Sequence, residues 1–480
     1  MKRFLTLLFT TLLLSAALCV TASASDFDGV AKELSAIGMF RGTDSGFELD
    51  RAPTRSEAAI MLVRLYGAEE EAAAAYQSGK ITHPFTDVGS TAAPYVAWLY
   101  QNGISKGTSA TTFGSGACSA QNYIVFLLRA LGYEDGKDFQ YDDAASFAMT
   151  HGLFDVSMLS GPFLRDDLAA VTYQALACDL ADGSTYLLDS LIDSGAIDAK
   201  AAQPITEKIE TYRTLAAASA TNAVDANVDV AMKLDMTAKG LTEGESIQEQ
   251  MSMSMDIDGR TQMILDENPK MAITMKLKAN DGAEELTTET ATYLRDGWVY
   301  TNSDGETYKV DQSQQLESFT AMYQALLDQA AVNSAMLPYI DTLSAKESGG
   351  STVYTMSLGK GFEDLFNGLF SSLLGDQLSP EDLGMELGLD VEKLVYTYTL
   401  TGGKLKSSDV DGVLALTMKM AQDPQNTMDL TMKMTMDMSM KINALGDQVK
   451  VTYPAGLDQY PELSGGVDGE IGITITEVPA

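Results

Sequence analysis

The sequence predicts a multidomain protein: an N-terminal all-α bundle of three repeats, then an α+β domain with a large curved antiparallel sheet, a half-barrel, and inserted helices. Three observations predict this fold class. A helix–loop–helix pattern recurs within the first 200 residues, the hydrophobic period changes from helical to strand-like near residue 222, and all but five of the 25 methionines follow residue 231. We expect a signal peptide (1–24), three repeats (about 26–70, 84–135 and 136–182) with a trailing helix to 200, a connector helix (201–221), the half-barrel (222–463) and a C-terminal tail (464–480).

The first 24 residues have the pattern of a secretory signal. Lys2-Arg3 precedes an apolar run from Phe4 to Val20, and Ala22-Ser23-Ala24 offers a small-residue cleavage site. No other run is long and apolar enough to span a bilayer, so we expect a secreted protein without a transmembrane segment. Two cysteines would remain after cleavage, Cys118 and Cys178, and the sequence leaves open whether they form a bridge or are two small buried side chains.

The chain is strongly acidic. It has 32 Lys and Arg against 67 Asp and Glu, a formal charge of −35. This charge excludes an extended nucleic-acid or anionic-lipid footprint, so any anionic partner must be met locally by a few placed cations.

The first 200 residues contain an internal repeat of helix, glycine-containing loop and helix. The loops begin at Gly38-Met39-Phe40-Arg41-Gly42-Thr43, at Gly103-Ile104-Ser105-Lys106-Gly107-Thr108 and, in degraded form, at Gly152-Leu153-Phe154-Asp155. The helices that follow start near Thr54-Arg55-Ser56-Glu57, Ser119-Ala120-Gln121-Asn122 and Leu164-Arg165-Asp166-Asp167. Such small units cannot bury an apolar face alone, so we expect the three to pack into one bundle.

The starts of these second helices differ in how well they can be capped. Thr54 and Glu57 form a T-x-x-E capping box, in which the hydroxyl and the carboxylate each accept a backbone N–H. Ser119 can cap in the same way, although Asn122 replaces the glutamate, whereas Leu164 cannot cap with its side chain.

The motifs Phe85-Thr86-Asp87-Val88, Trp98, Gly103 to Gly107 and Thr54 to Glu57 resemble the signature of S-layer homology repeats, which usually occur in threes. The resemblance covers roughly residues 26 to 182. It implies non-covalent attachment to secondary cell-wall polysaccharide, often pyruvylated, in grooves between the repeats of a pseudo-threefold bundle. In that family the arginine of the T-R-A-E motif contacts the anionic sugar, and this role carries over to Arg55 and Arg165; the second copy has Ala120 there.

The candidate polysaccharide-binding residues are Arg55, Arg165, Arg41, Lys106, Asp87, Trp98, Gly103, Gly107, Thr54 and Glu57. Arg55 also has a physical argument of its own. A cation in the first turn of a helix opposes the macrodipole at a cost of about 0.3–1 kcal/mol, and a bound carboxylate would offset that cost. The alternatives, that Arg55 and Lys106 are solvated surface cations and that Trp98 is a core residue, stay open.

After the repeats we expect a short helix from Leu187 to Ile197, a connector containing Pro204 and a helix from about Ile205 to Ala220. Strict alternation then predicts long strands with one apolar face, most plainly from Met428 to Ile442. The predicted strands cover 228–236, 251–257, 270–278, 286–294, 297–302, 306–310, 352–358, 393–401, 404–420, 428–442 and 448–453, interrupted by helices near Gln314 to Leu343 and Phe362 to Leu374.

This order of elements resembles the half-barrel of bacterial lipoprotein carriers and related lipid-binding envelope proteins, over residues 205 to 463. The resemblance implies an apolar cavity that binds a lipid or another apolar ligand. The candidate lining residues are Met432, Met434, Met436, Met438, Met253 and Met275. Two alternatives stay open: the methionines fill a dry core against the helices, or they act as a reservoir for oxidants.

Catalytic patterns are scarce. His83 and His151 both lie in the repeat region, and no cysteine follows Cys178, so the half-barrel cannot assemble a Ser-His or Cys-His pair or a zinc site from His or Cys. No phosphate-binding glycine loop is present. We expect a secreted, non-enzymatic surface protein held on wall polysaccharide, with no cofactor or metal. The alternatives are a purely structural or adhesive protein and, in third place, a wall glycan hydrolase.

Overall fold

The computed structural model describes residues 27–153, 162–242, 245–313, 336–359, 385–423 and 426–463. The expected signal peptide, the tail from residue 464, the helix expected at 362–374 and most of the one expected at 314–343 lie outside the described residues.

The N-terminal region is helical, as the sequence predicts. Its helices are α1 (Asp28–Ala36), α2 (Arg55–Leu65), α3 (Glu69–Gln77), α4 (Ala93–Gln101), α5 (Ala120–Ala130), α6 (Ala144–Thr150), α7 (Arg165–Leu176), α8 (Leu187–Asp193) and α9 (Ala199–Ser219). The pairs α1 and α2, α4 and α5, and α6 and α7 are the helices of the three repeats. Their buried faces meet in one apolar core, whose largest fully buried side chains include Phe27, Phe40, Phe113, Tyr123 and Tyr173.

The first helix of each repeat ends in the same way. Gly38, Gly103 and Gly152 have φ of 74°, 71° and 62°, the left-handed conformation that favours glycine after a helix. The residue after each glycine donates its N–H to the carbonyl five residues earlier, in the pairs Met39–Leu34, Ile104–Leu99 and Leu153–Ala148. The third, degraded copy therefore ends its first helix in the same way as the other two.

The segment after the repeats differs from the expectation in its helix bounds and at Pro204. The helix α8 ends at Asp193 instead of Ile197, and α9 begins at Ala199 instead of near Ile205. Pro204 does not lie in a connector between helices, because α9 is continuous through it. Asp198 caps the start of the helix, because its side chain accepts the N–H of Ala201 at 2.8 Å. The buried residues Ile205, Ile209 and Leu215 hold the later turns against the protein. Proline near a helix start is better tolerated than in the middle, and this docking offsets the missing hydrogen bond.

The C-terminal region is a large, curved and unclosed antiparallel sheet. Its strands are β1 (Ala223–Thr242), β2 (Glu245–Ile264), β3 (Lys270–Asn280), β4 (Glu285–Arg295), β5 (Trp298–Ser303), β6 (Glu306–Asp311), β7 (Ile340–Ser348), β8 (Ser351–Leu358), β9 (Met385–Thr401), β10 (Lys404–Asp423) and β11 (Asn426–Leu445). The order across the sheet is β6-β5-β4-β3-β2-β1-β11-β10-β9-β8-β7. The first and last long strands, β1 and β11, therefore meet at its centre.

Two details of the strand prediction are wrong. Residues 340–343, expected at the end of a helix, belong to the edge strand β7. Residues 448–453, expected to be a strand, run outside the ladder. They are held instead by the side chain of Gln262, which donates to the carbonyl of Lys450 at 3.0 Å and accepts the N–H of Thr452 at 3.2 Å. The segment cannot form a hairpin with β11, which it follows, because β1 and β10 already pair with both sides of β11.

The helical bundle and the sheet share a buried core. The rings of Phe27, next to α1, and Tyr339, next to β7, lie 5.4 Å apart. At one end of the sheet, Leu215 of α9 packs with Leu400, Leu405 and Ile442. The helices therefore cover part of the apolar face of the sheet.

The structure answers the cysteine question. Cys118 and Cys178 are both buried, and no disulfide joins them. Burial raises the pKa of the Cys118 thiol to about 12, against a smaller opposing effect of the nearby Arg55 charge. Both side chains act as small buried groups of the bundle core.

Candidate functional site

The second helix of each repeat begins with a different cap. At α2 the capping box predicted from the sequence is confirmed, because Thr54 Oγ1 accepts the N–H of Glu57 at 3.1 Å and the carboxylate of Glu57 accepts the N–H of Thr54 at 2.7 Å. At α5 the hydroxyl of Ser119 accepts the N–H of Asn122 at 3.3 Å. At α7 Leu164 offers no side-chain cap, and its own N–H donates to Asp167 at 2.7 Å.

Arginine side chains link these helix starts in two places. In two repeats the arginine at the first helical position reaches the third helical position of another repeat. Arg165 Nη1 donates to Glu57 Oε1 at 2.8 Å, and Arg55 Nη1 donates to Asn122 Oδ1 at 2.9 Å. The second repeat has Ala120 at the arginine position, so the equivalent third-position residue, Asp167, receives no guanidinium from it.

Arg165 is buried and already paired with a carboxylate. Its side chain is 5% exposed, Nε donates to the carbonyl of Phe47 at 2.8 Å, and the guanidinium lies 4.9 Å from the ring centre of Phe40. Its partner Glu57 also accepts from Arg51 at 2.7 Å. Burial alone would raise the pKa of Glu57, but these hydrogen bonds and that from Thr54 lower it to about 2. Arg165 joins the third repeat to the first, and this burial does not favour the sugar contact that the resemblance implies for it.

Arg55 has a different environment. It is half-buried between the rings of Phe113 and Phe126, whose centres lie 5.3 and 5.8 Å from its guanidinium carbon. Within the described ranges it pairs with no carboxylate, and its buried Nε has no hydrogen-bond partner. Its backbone N–H donates to the carbonyl of Gly116 at 2.7 Å, which fixes the start of α2 against the loop of the second repeat.

Sequence reasoning missed two polar neighbours of Arg55. Asn122, considered only as an imperfect cap, holds the guanidinium and also donates from Nδ2 to Ser119 Oγ at 2.7 Å. Tyr141, 42% exposed, donates from its hydroxyl to Asn122 Oδ1 at 3.3 Å. The signal that could have revealed Asn122 is its offset in the repeat, which matches that of Glu57. We call Arg55, Ser119, Asn122 and Tyr141 the Arg55 groove.

Asp87 and Gly107 shape the loop that carries Phe113. The carboxylate of Asp87 accepts the backbone N–H groups of Phe113, Gly114 and Ser115 at 2.7, 2.8 and 3.0 Å, and these bonds, that from Phe113 first, lower its pKa to about 2. Gly107 lies so close to the Phe85 ring that a Cβ atom would meet it at 2.4 Å, whereas a Cβ on Gly103 would meet nothing within 4 Å. Asp87 and Gly107 position the groove rather than line it, whereas Gly103 ends α4.

The remaining candidates of the repeat region lie apart from one another. Arg41 forms a two-pronged ion pair with Glu69, both bonds at 2.9 Å, so its charge is already matched. Lys106 is exposed, with no ion pair among the described residues. Trp98 is 9% exposed and packs on Tyr66 with ring centres 5.6 Å apart, which makes it a core residue.

A second surface is the apolar face of the sheet. The six methionines named from the sequence, Met432, Met434, Met436, Met438, Met253 and Met275, are all half-buried. Methionine side chains on this face become more exposed with distance from the helical bundle. Along β2, Met255 is 5% exposed, Met253 is half-buried and Met251 is 51% exposed. Met436 and Met438 pack against the shared core of bundle and sheet. The face is thus closed at one end and open at the other.

Two further searches concern metals and membranes. In the part of the chain that the structure describes, no group of three or more His, Cys, Asp or Glu side chains could hold a metal ion. No helix among the same residues has the length and apolar character needed to cross a bilayer.

The family comparison identifies the second repeat. The family model of the S-layer homology domain matches residues 84–114. This segment is similar to the S-layer homology domain. It confirms the resemblance drawn from Asp87, Trp98, Gly103 and Gly107, and it indicates association with the cell wall at the cell surface. The Phe113 that flanks Arg55 lies within this S-layer homology segment.

Comparisons of the whole chain are weaker. A sequence search of curated proteins finds no match. Among solved structures, LprF from Mycobacterium bovis has a TM-score of 0.22 at 11% identity, covering 52% of this chain and 98% of its own. A β-barrel-like protein with a domain of unknown function, DUF1849, from Brucella abortus scores 0.13 at 11% identity, covering 47% and 100%. These scores are too low to carry an argument about function.

Proposed function

We propose that this protein is secreted, has no enzymatic activity and is anchored non-covalently to secondary cell-wall polysaccharide through the Arg55 groove. The observation that carries the proposal is the contrast between two arginines at equivalent repeat positions. Arg165 is neutralised by Glu57, whereas Arg55 bonds to the neutral amide of Asn122 and keeps its charge for a ligand.

The chemistry of the groove suits an acidic sugar. The guanidinium of Arg55 offers planar N–H donors that match a carboxylate, and it stands in the first turn of α2, where the helix dipole also favours an anion. The amide of Asn122 and the hydroxyl of Tyr141 offer hydrogen bonds to sugar hydroxyls. A pyruvate ketal on the polysaccharide would present such a carboxylate. Because the whole chain carries a formal charge of −35, it can bind an anion only at a local site where a few cations are placed.

The test uses residues 25–480 and purified cell walls. We expect the unaltered protein to sediment with the walls and Arg55→Gln to stay in the supernatant. Lys80→Gln, which removes an exposed cation on the loop after α3, is the matched control and should sediment normally. Sedimentation of Arg55→Gln at the level of the control would overturn the assignment of Arg55.

A second experiment addresses the sugar. Mild acid removes a pyruvate ketal and leaves most glycosidic bonds intact. Walls treated in this way should lose binding of the unaltered protein if the ketal carboxylate is the ligand. Retained binding would point to another anionic group of the polysaccharide.

For the sheet, we propose that the open end of the methionine face binds an apolar ligand. The exposure of Met251 and the half-burial of Met253 and Met434 support the proposal, since flexible thioethers adapt to irregular shapes. Packing of Leu215 at the other end favours the alternative, a closed structural core.

Lipid that co-purifies with residues 25–480 in native mass spectrometry would support ligand binding. A mass without ligand and no uptake of hydrophobic dye would favour the closed core. Turnover of isolated wall material would contradict the non-enzymatic part of the proposal.

A further inference from the structure

The register of the sheet brings methionines of three neighbouring strands into lines. On the apolar face, Met232 of β1 lies opposite Met255 of β2 on one side and Met436 of β11 on the other. Four residues further along β1, Met236 lies opposite Met251 and Met432 in the same way. Each line therefore holds three thioethers from three separate strands.

The inner line is the better candidate for a binding site, because its side chains pack in one hydrophobic cluster. Met255, Met232 and Met436 belong to one cluster with Val230 and Ile257. Met255 is 5% exposed, and Met232 and Met436 are half-buried, so the line is sheltered yet reachable. Directly opposed residues have Cβ atoms about 5 Å apart, a distance that a methionine side chain and a metal–sulfur bond can span together.

Packing alone does not explain this choice of residue. A sheet face that only fills a core is served better by Val, Ile and Leu, which have higher β-propensity and lose less side-chain entropy on burial. The sheet domain also contains no Cys or His, so its soft ligands are thioethers alone. Thioethers favour soft monovalent ions such as Cu(I) and discriminate against Mg²⁺, Ca²⁺ and Zn²⁺, which prefer oxygen, nitrogen or thiolate ligands.

We propose that Met255, Met232 and Met436 form a thioether site for a soft monovalent cation of the Cu(I) type. The site lies on the apolar face of the sheet, away from the Arg55 groove. It requires no redox step, since the ion binds in the oxidation state in which it arrives.

The probe is Ag(I), a soft monovalent ion that air does not oxidise. The protein is residues 25–480 with Cys118→Ala and Cys178→Ala, so that buried thiols cannot bind silver. Calorimetry and native mass spectrometry should detect bound silver, and Met232→Leu with Met255→Leu and Met436→Leu should lower the affinity by roughly tenfold or more. Met356→Leu is the matched control, because Met356 on the same sheet faces Leu343 and Tyr396 rather than methionine, and it should bind as the parent does.

Leucine is close to methionine in volume, so the triple variant should fold and should take up hydrophobic dye like its parent. If it does not fold, Met232→Leu alone removes the central ligand and must show the same loss. Silver affinity unchanged in the triple variant, or equal loss in Met356→Leu, would overturn the proposal, as would a parent protein that binds no silver.

Discussion

Arg165 of the third repeat donates a hydrogen bond to Glu57 of the first at 2.8 Å, across 108 residues of sequence. The pair joins the two repeats at a helix start where Glu57 also caps α2 and accepts from Arg51. Stability and wall binding therefore depend on different arginines. Arg165 stabilises the contact between two repeats, whereas Arg55 is the residue proposed to bind the wall polysaccharide.

Arg165→Ala should therefore lower stability rather than wall binding. Removing one partner of a buried ion pair costs about 3–5 kcal/mol, and the lower end applies here because Arg51 and Thr54 still bond to Glu57. Urea denaturation measures the loss. Arg55→Ala should lower the free energy of unfolding less, because it removes ring contacts and one hydrogen bond but no ion pair. The folded fraction of Arg165→Ala should still sediment with walls. Equal loss of stability in the two variants would contradict this division of roles.

Asp167 predicts an unusual pH dependence. Burial raises its pKa from the ordinary 3.8 to about 6, against the opposing hydrogen bond from Leu164. The native state then holds a proton that the unfolded state releases, so this carboxyl lowers the free energy of unfolding as pH rises from about 4 to 6. Asp167→Asn should be more stable than the parent at pH 7 and equal to it below pH 4. Denaturation curves with the same difference at both pH values would contradict this origin.

The missing arginine of the second repeat offers a test of the pseudo-threefold relationship. In Ala120→Arg, the new guanidinium occupies the position that Arg165 and Arg55 hold in the other two repeats, and we expect it to reach Asp167. The pKa of Asp167 should fall, and the free energy of unfolding should no longer increase as the pH is lowered from 6 to 4. The side-chain carboxyl signal of Asp167 in NMR titrations measures the pKa directly. An unchanged pKa would show that the third pair of repeats is arranged differently.

Much of this fold follows from local sequence signals, whereas the contacts that form the candidate site do not. The recurrence of Gly38 and Gly103 gives the repeat, and alternating methionines give the long strands. The edge strand β7 escaped prediction because its residues are mostly exposed, with only Ile340 buried, so no apolar alternation marks it. Arg55 and Arg165 differ in environment because their hydrogen-bond partners lie 67 and 108 residues away, and no local pattern predicts those partners.

The two buried cysteines should be unreactive in the native protein. Burial raises the pKa of Cys118 to about 12, so at pH 8 the group is a thiol rather than the reactive thiolate, and Cys178 is equally inaccessible. An aromatic disulfide reagent should label neither in the folded chain of residues 25–480 and both in denaturant. Failure to label in denaturant would mean that the cysteines are bridged.

Two motif glycines of the second repeat should respond differently to alanine. Both have positive φ, 71° at Gly103 and 73° at Gly107, and this conformation costs an alanine about 1–2 kcal/mol. At Gly103 the backbone conformation is the whole cost, since the added Cβ would meet nothing within 4 Å.

At Gly107 the Cβ would also meet the Phe85 ring at 2.4 Å and the carbonyl of Thr112 at 2.6 Å, so the loop that carries Phe113 must move. Gly107→Ala should therefore lose more stability than Gly103→Ala in urea denaturation and should also weaken wall binding, because Phe113 flanks Arg55. Equal effects of the two substitutions on stability and binding would show that this loop does not position the groove.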